Sequence, residues 1–406
     1  MYALAYYNLG YSYFKLRDYS AALNRVRQYV DLESNRQAAS LADAYNRIGD
    51  CLYQNRQFSL AEENYSRAAQ LSPSAGDYSI YQKGFLLGLQ KDYKGKISAM
   101  DRLISEYPES QYVDDALFEK GRSYVLLENS SSAAQAFEKL IREFPLSSLA
   151  RKAGIQLGLL YYNDNQPEKA LAAYKQVISN YPGSEEAKIA LQDLKSVYID
   201  LNDITTYASY VNSIGGNIRL EVGEQDSLTY IAAEKLFMRG DNDGARRSLI
   251  NYLQTFPEGA FSSNANFYLG SIAFAKKEFD EAIQRFKSVI ASGDTKFLEE
   301  SVARTAEIEY LSKDYPAALE SFKRLQIVAE NPENRQAARL GIMRCALQTG
   351  QQKDALLAAD ELLKEPKLSP ELEAEARYVR AKAYIAQKQA NKALADLKEL
   401  SKDTRT

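Results

Sequence analysis

Apolar residues along this chain recur at helical spacing rather than in the alternation typical of a strand. In the stretch LISEYPESQYVDDALFEKGRSYVLL, Leu117 and Tyr124 lie two turns apart with Gly121 between them. Further along, Ala133, Phe137 and Leu140 are spaced by four and then three residues. Side chains at such intervals share one face of an α-helix. The pattern therefore predicts two antiparallel helices that pack along these faces.

The same outline recurs at a fixed distance along the chain. Each copy starts with an aromatic residue followed by proline, a segment called the joint here, and an alanine comes eight residues after the proline. Pro108, Pro145 and Pro182 are 37 residues apart, and Pro257 follows after 75, about two further periods. The alanines are Ala116, Ala153, Ala190 and Ala265. Recurrence at a period of roughly 20–50 residues is typical of solenoid proteins.

A second spacing fixes the register of the repeats independently. Two positions twelve residues apart are held mainly by glycine or alanine, and they define eleven repeats, nine with alanine at the second position. Small residues are needed where paired helices cross, and leucine in place of Ala133 would cost ~1–3 kcal/mol by overpacking. The pairs are Gly10/Ala22, Gly49/Ala61, Gly84/Lys96, Gly121/Ala133, Gly158/Ala170, Lys195/Tyr207, Ala233/Ala245, Gly270/Ala282, Ala306/Ala318, Met343/Ala355 and Ala381/Ala393.

The ten prolines support this division into helices and joints. Several close predicted second helices, because the residue before proline is driven out of the helical region. These are Pro73, Pro108, Pro145, Pro182 and Pro257. Pro167 and Pro316 fall where a second helix begins, a position that tolerates proline. Pro332, Pro366 and Pro370 lie between repeats.

The register resembles that of the tetratricopeptide repeat (TPR) family over essentially the whole chain. The first repeat, AYYNLGYSYFKLRDYSAALNRVRQYVDLES, carries Tyr6, Leu9, Gly10, Tyr13 and Ala22 at the family's positions. The second, AYNRIGDCLYQNRQFSLAEENYSRAAQLSP, carries the pattern through to its closing proline. The resemblance implies an all-α, right-handed superhelical solenoid of about eleven helix-turn-helix repeats, with other proteins or peptide segments as partners.

The joint is similar to that of bacterial cell-envelope TPR proteins. Its sequence is Tyr/Phe-Pro-x-Ser/Gly, and the period exceeds the usual TPR length of about 34 residues. That group includes the TolA-binding periplasmic protein and the TPR lipoprotein of the outer-membrane β-barrel assembly machine. The resemblance implies a periplasmic or outer-membrane-associated scaffold. The first residues lack the features of a signal peptide and look like a helix already under way, so we expect a piece of a longer protein.

A glycine-containing stretch divides the array into two parts. The sixth repeat, around Lys195 and Tyr207, is degenerate, and VNSIGGNIRLEVGEQDSL follows it. We therefore expect an N-terminal array over 1–214, a linker over 215–227 and a C-terminal array over 228–406.

Composition argues against an enzyme, a metal site or a nucleic-acid partner. The chain has no histidine, which removes the commonest general base and zinc ligand. Cys51 and Cys345 are 294 residues apart and are predicted to be small buried residues. The formal charge is −3, without the basic patch that a phosphate backbone requires. No apolar run approaches the ~18 residues of a spanning helix. We expect no cofactor.

Two short motifs have structural interpretations. Asp114 and Asp115 are adjacent in the chain, so their side chains point apart. Both lie near the start of a helix, where the positive end of the helix dipole stabilises acidic side chains. RGDNDGA, 239–245, fails as a calcium loop because Arg246 stands where the sixth-position glycine is required. It occupies the predicted turn between paired helices.

The remaining candidate is the inner face of the first helices, which lines a concave groove in TPR arrays. Residues spaced by four and three there share one helix face. Two interpretations stay open: these residues pad the contacts between repeats, or they are exposed anchors for a partner segment, since Tyr and Arg are favoured at binding hot spots. They are Tyr7, Tyr11, Phe14, Asn46, Asp50, Tyr53, Tyr81, Phe85, Phe118, Arg122, Tyr162, Tyr230, Phe237, Phe267 and Phe274. The Lys/Asn carboxylate clamp of chaperone-binding TPRs is not reproduced.

The sequence thus predicts a non-enzymatic scaffold that holds partner segments in its groove, with a place in bacterial cell-envelope assembly. Two alternatives stay open. One is a cytoplasmic adaptor or regulator that binds peptides. The other is an accessory TPR module of a larger protein whose functional domain lies outside these residues.

Overall fold

The computed structural model describes residues 2–35, 39–73, 76–214, 220–293 and 295–402. The elements of this part of the chain are 22 α-helices, which alternate as first and second helices, so the predicted eleven pairs are confirmed. The first helices are α1 (Tyr2–Lys15), α3 (Ala39–Gln54), α5 (Asp77–Leu89), α7 (Val113–Leu126), α9 (Ser148–Asn163), α11 (Glu185–Asp200), α13 (Val222–Met238), α15 (Ser262–Ala275), α17 (Thr295–Leu311), α19 (Pro332–Gln348) and α21 (Pro370–Ala386). The second helices are α2 (Tyr19–Leu32), α4 (Phe58–Leu71), α6 (Tyr93–Glu106), α8 (Ser130–Glu143), α10 (Pro167–Asn180), α12 (Ile204–Ile214), α14 (Asn242–Thr255), α16 (Phe279–Ser292), α18 (Tyr315–Val328), α20 (Gln352–Leu362) and α22 (Ala390–Leu400).

The chain divides into two compact units, 1–197 and 198–406. In both units, helices that follow one another along the chain pack together, so that a second helix such as α8 or α18 contacts its own first helix and the next. The predicted linker falls partly outside the description, since 215–219 are not among the described residues. Its later part belongs to α13, which begins at Val222. Among the described helices, none combines the length and apolar character needed to cross a membrane.

Glycine and alanine lie where paired helices come closest, as the twelve-residue spacing predicts. A Cβ added to Gly121 would lie 2.5 Å from the Phe137 ring, and one added to Gly158 would lie 2.4 Å from the Tyr174 ring. Ala133 on the partner helix is fully buried. Real Cβ atoms essentially never come within 3.0 Å of such a neighbour, so a side chain at these glycines would push the paired helices apart.

The third repeat has Lys96 in the register of these alanines, and the local structure accommodates its length. The Lys96 side chain is buried and forms an ion pair with Glu119 of α7. A Cβ at Gly88 would lie 2.8 Å from Lys96 Cδ, so glycine there leaves room for the lysine stem. A buried charge is tolerated when it is paired in this way.

Each turn between paired helices contains one residue in the left-handed conformation, at the same register position in all eleven repeats. Its φ ranges from 54° at Asn202 to 82° at Gly240. The residues are Arg17, Arg56, Lys91, Glu128, Asn165, Asn202, Gly240, Lys277, Lys313, Gly350 and Lys388. A left-handed residue ends one helix and lets the chain reverse.

Where the residue after the left-handed position is Asp or Asn, its side chain caps the second helix. Asp18 accepts the backbone N–H of Ala21 at 3.0 Å. RGDNDGA forms the same turn, in which Asp241 accepts the N–H of Gly244 at 2.9 Å. The structure therefore places this Arg-Gly-Asp sequence in an ordinary turn between paired helices, as expected.

Side chains across the joints bind each repeat to the next. Asp77 accepts a hydrogen bond from the Ser110 hydroxyl at 2.6 Å, and Asp114 accepts one from Ser147 at 2.7 Å. The tyrosine of a joint reaches back in the same way, because Tyr181 donates to the carbonyl oxygen of Pro145 at 2.9 Å. These bonds give the Tyr/Phe-Pro-x-Ser motif a structural role.

In the second unit, the Glu299 side chain bonds one repeat to the next. Its carboxylate accepts the backbone N–H groups of Glu330 at 2.9 Å and Asn331 at 3.1 Å, and the side-chain amide of Asn334 at 2.7 Å. Glu299 therefore holds the joint that precedes α19.

The predictions about the cysteines and about Pro167 and Pro316 hold, whereas two of the predictions about prolines do not. Cys51 and Cys345 are fully buried and unpaired. Pro167 and Pro316 lie in the first turns of α10 and α18. Pro332 and Pro370, which the sequence placed between repeats, are instead the first residues of α19 and α21.

Candidate partner-binding face

The candidate residues occupy three positions on the first helices, called here the leading, middle and trailing positions. Their spacing of four and three residues puts them on one side of each helix, the first-helix face. The leading residues are Tyr7, Asn46, Tyr81, Phe118, Tyr230 and Phe267; the middle ones are Tyr11, Asp50, Phe85 and Arg122; the trailing ones are Phe14, Tyr53, Tyr162, Phe237 and Phe274.

Leading tyrosines use their hydroxyl groups to bond the next repeat. Tyr7 donates to Asp43 of α3 at 2.5 Å. Tyr230 accepts from Asn264 of α15 at 3.1 Å and donates to Glu234 of its own helix at 2.6 Å. Burial, reinforced by the hydrogen bond to Asp43, raises the pKa of Tyr7 and keeps it a protonated donor. Their hydroxyl groups thus serve the contact between neighbouring repeats.

Leading aromatic rings also stack on rings at the start of the next first helix. Tyr81 lies parallel to Tyr112 with 5.2 Å between ring centroids, and Phe267 stacks on Phe297 at 4.3 Å. Burial and the nearby Asp115 carboxylate raise the pKa of Tyr81. Such pairs contribute ~0.5–1.5 kcal/mol beyond the area they bury. In these repeats the leading ring fills the space between neighbouring first helices.

The second repeat carries a buried polar cluster at the middle position. Asp50 is 7% exposed and accepts hydrogen bonds from the hydroxyl groups of Tyr65 and Tyr78, both at 2.7 Å. Arg47 approaches the same carboxylate at 2.7 Å. Burial raises the pKa of Asp50, although Arg47 and the two tyrosines oppose the rise.

Arg47 and Asn46 extend this cluster to the neighbouring repeats. The Arg47 guanidinium lies 5.4 Å from the ring centroids of both Phe14 and Tyr78. The Asn46 side-chain oxygen accepts a hydrogen bond from the buried Ser79 at 2.8 Å. The contacts of Arg47 and Asn46 therefore connect the second repeat to the first and the third.

Other candidate rings pack on each other at wider spacing. The Tyr53 and Phe85 rings meet edge to face with centroids 6.2 Å apart. Phe118 lies 5.9 Å from Phe137 of its own second helix. These residues are half-buried.

The open part of the first-helix face is smaller than the candidate set. Tyr11 is 38% exposed. Arg122 is exposed, with its guanidinium 3.2 Å from Glu119, and Tyr162 is half-buried. The side chains of these residues reach solvent to different degrees, whereas Tyr230, at 2% exposure, is closed off.

The adjacent carboxylates Asp114 and Asp115 have separate partners. Asp114 accepts from Ser147, and Asp115 accepts from Tyr81. Burial, followed by the charge of Asp114, raises the pKa of Asp115. The pair joins the fourth repeat to both of its neighbours.

The second unit contains a pocket on the first-helix face that the sequence analysis does not identify. It lies between α17 and α19, next to α18, and has a volume of about 380 Å³. Phe322 and Leu325 of α18 and Ala303 of α17 line it, together with Arg304 and Arg344. Ala303 is the smallest residue at the leading position of the eleven repeats, six of which have an aromatic residue there. That small residue is the sequence signal for the pocket.

Family models match most of the chain. Models described as tetratricopeptide repeat match residues 7–76, 78–110 and 232–295. The model YfiO, described as an outer membrane lipoprotein, matches residues 114–199. No curated protein matches the sequence significantly.

Several solved structures are similar to this one. A tetratricopeptide repeat protein from Parabacteroides merdae is 16% identical, with a TM-score of 0.40, over 75% of this chain and 98% of its own. PilF from Pseudomonas aeruginosa is 19% identical, with a TM-score of 0.38, over 52% of this chain and 90% of its own. YrrB, described as a TPR protein with an unusual peptide-binding site, is 20% identical, with a TM-score of 0.37, over 47% of this chain and 92% of its own.

Proposed function

We propose that this chain, which tetratricopeptide repeat models match over 7–76, 78–110 and 232–295, is a non-enzymatic scaffold that holds segments of partner proteins against its first-helix face. TPR arrays are interaction modules, and proteins or peptides are the partners that such repeats imply. One observation carries the choice of face: some side chains there are closed off between repeats while others stay open. Tyr11, Arg122 and the pocket beside Ala303 are accessible.

Residue type supports the same face. Tyrosine and arginine are enriched among the residues that dominate binding energy at interfaces. Closed residues such as Tyr230 hold the repeats in register, so the open ones are presented on a fixed support. A fixed support lowers the entropy lost when a partner binds.

The cellular setting that we propose is the bacterial cell envelope, with a role in assembling its components. The match of the outer membrane lipoprotein model to 114–199 supports this setting. Two of the four Tyr/Phe-Pro-x-Ser/Gly joints, at Pro145 and Pro182, lie in the same region and support this setting as well. A cytoplasmic adaptor and an accessory module of a larger protein are the alternatives.

Site-specific photo-crosslinking in the native cells tests the face. A photoreactive residue would replace Arg122 on α7 or, as a matched control, Arg142 on α8 of the same repeat. Both side chains are more than half exposed, at 56% and 68%. We expect partner adducts from position 122 and far fewer from 142. Equal yields from the two positions would contradict a partner on the first-helix face.

Cell fractionation of the same strains tests the setting. Adducts recovered with envelope proteins support envelope assembly. Adducts confined to cytoplasmic proteins would replace that setting with the adaptor alternative while leaving the binding face intact.

A further inference from the structure

We propose that the turns of the first three repeats form an edge that binds the surface of an anionic lipid membrane. The edge consists of turns between paired helices rather than of the first-helix face, so its role is additional to the scaffold function above. Three features of these turns carry the proposal: the sign of their charges, the state of those charges, and the leucine side chains that stand among them.

Basic residues occupy the same register position in three successive turns. Arg17, Arg56 and Lys91 are the left-handed residues of the first, second and third repeats. Because each helix pair reverses the chain, successive first helices run in the same direction and their turns lie on one edge of the N-terminal unit. We call this edge the turn edge; it comprises residues 15–21, 54–60 and 89–95.

The turn edge has an excess of positive charge. Besides its three left-handed cations it contains Lys15 and Lys94, so five cations stand against two carboxylates, Asp18 and Asp92. The sequence shows no basic run, because these cations come from three separate turns. The corresponding stretches of the fourth and fifth repeats have three carboxylates against one lysine. The positive charge therefore belongs to the first three turns and not to turns of this array in general.

The cations of the turn edge remain available to a partner. All five residues are exposed, and none of them forms an ion pair within the part of the chain that the structure describes. Lys15 lies over the Tyr11 ring at 5.2 Å, a contact that leaves its charge intact. Asp18 and Asp92 instead accept backbone N–H groups of the second helices, at 3.0 Å and 2.9 Å. The helix dipole stabilises carboxylates at that place.

Exposed leucines stand among these cations. Leu16 is 76% exposed, Leu60 is 46% exposed and Leu89 is 48% exposed. An acidic, hydrophilic protein segment would pair with the cations and leave these leucines in water. An anionic membrane uses both kinds of side chain, because lysine and arginine meet the headgroups while leucine enters the boundary of the acyl region. The combination therefore favours a lipid surface.

The number of cations is sufficient for reversible binding. Clusters of about four to eight basic residues are typical of surfaces that bind anionic lipid, and each contributes roughly fivefold in affinity. The turn edge has five. Since this attraction falls off within a Debye length of about 8 Å at physiological salt, we expect binding that weakens as salt is raised.

Vesicle sedimentation with the full chain tests the proposal. Vesicles of phosphatidylcholine alone would be compared with vesicles in which one-third of the lipid is phosphatidylglycerol, at a series of salt concentrations. We expect binding to the anionic vesicles and little to the neutral ones. The partition coefficient should fall as salt is raised.

A double variant locates the binding edge. Arg17→Asn combined with Arg56→Asn removes two cations, and the partition coefficient on anionic vesicles should fall at least tenfold. Asparagine already holds this left-handed position at Asn165 and Asn202, so we expect the variant to fold. Its midpoint of thermal unfolding checks this. Leu16→Ser leaves the charge unchanged and should weaken binding severalfold, because the apolar contact is lost.

Lys277→Asn combined with Lys313→Asn is the matched control. Both lysines are left-handed residues of their turns, each with φ of 61°, and the control makes the same change in total charge. A carboxylate follows each of them, at Glu278 and Asp314. We expect the control to bind anionic vesicles as the parent does.

Three results would overturn the proposal. The first is equal binding to the two kinds of vesicle, or no binding to either. The second is a partition coefficient that the Arg17 and Arg56 substitutions leave unchanged, or that the control lowers as much. The third is binding of a polyglutamate peptide without binding of vesicles, which would assign the turn edge to an acidic protein segment. Crosslinking at Arg122 decides the scaffold function separately from all three.

Discussion

Gly121 has no side chain because a phenylalanine of the partner helix occupies the space. Gly121→Ala places its Cβ 2.5 Å from the Phe137 ring. We expect the free energy of unfolding to fall by ~1–3 kcal/mol, because the ring and the helix axis must shift. Chemical denaturation followed by circular dichroism measures the change.

Gly223 provides the control for this prediction. It lies in the first turn of α13, and a Cβ there meets nothing within 4 Å. Gly223→Ala should leave stability unchanged or raise it by up to ~1 kcal/mol, as helix propensity predicts. If both substitutions destabilise equally, close helix approach is not the reason for glycine at 121.

Lys313 and Gly350 occupy the same turn position in successive repeats, with φ of 61° and 75°. A left-handed residue other than glycine is strained by roughly 1–2 kcal/mol, partly offset by the greater freedom of glycine in the unfolded chain. Lys313→Gly should therefore raise the free energy of unfolding by about 0.5–1 kcal/mol. Gly350→Ala should lower it by about 1 kcal/mol.

Thermal or chemical unfolding of the two variants checks the pair. Opposite signs are the expected outcome. The same sign for both would mean that backbone conformation at this position does not control the stability of the turn.

The sequence identified which residues lie on the first-helix face, but not which of them are open. Tyr11 and Tyr230 were both candidates, yet they are 38% and 2% exposed. A helix face is wide enough to hold residues that pack sideways on the next repeat and residues that point outward. The choice depends on a neighbour about one repeat away, such as Asn264 beside Tyr230, and spacing within one helix does not contain that information.

At the scale of elements, the joints carry a pH-dependent contribution to stability. Although burial acts to raise it, the hydrogen bonds from Asn334 and from the backbone of Glu330 and Asn331 lower the pKa of Glu299 below its ordinary value of 4.5. A carboxylate with a lowered folded pKa stabilises the protein above its unfolded pKa. This contribution is lost as the pH falls through the folded pKa.

Glu299→Gln should therefore destabilise the protein near pH 7 and have a diminishing effect below pH 4.5. Denaturation of parent and variant at a series of pH values measures the difference. Glu320→Gln is the control, because that side chain on α18 is 74% exposed. A difference for Glu299→Gln that stays constant with pH would show that its carboxylate charge does not hold the joint.

The helix pairs were predictable because their pattern is local. Twelve residues separate the crossing positions. The end of the first helix, a short loop and the first turn of the second helix fix that spacing. The predicted linker was less accurate at its end, since α13 already begins at Val222. Gly223 stands in the first turn, where a weak helix former interrupts few backbone hydrogen bonds.

At the scale of the whole molecule, the stability of a repeat array is approximately the sum of its repeats and their contacts. We propose that the weakest region follows the sixth repeat, in which Lys195 and Tyr207 occupy the crossing positions that small residues hold in most repeats. Limited proteolysis should cut first near 213–227, a stretch of which 215–219 lie outside the described residues. Terminal sequencing of the fragments identifies the site, and first cuts at an ordinary joint would contradict the division into two arrays.

The bonds across the joints connect residues about one repeat apart, as Asp114 and Ser147 are 33 positions apart. A chain stretched from its two ends would therefore lengthen in discrete steps. Each step would release one repeat of about 37 residues, or roughly 120 Å of slack. A protein whose first and last strands are bonded together has no such graded response, because its closing contacts break at once. This array would instead yield under load while the remaining repeats keep their helices.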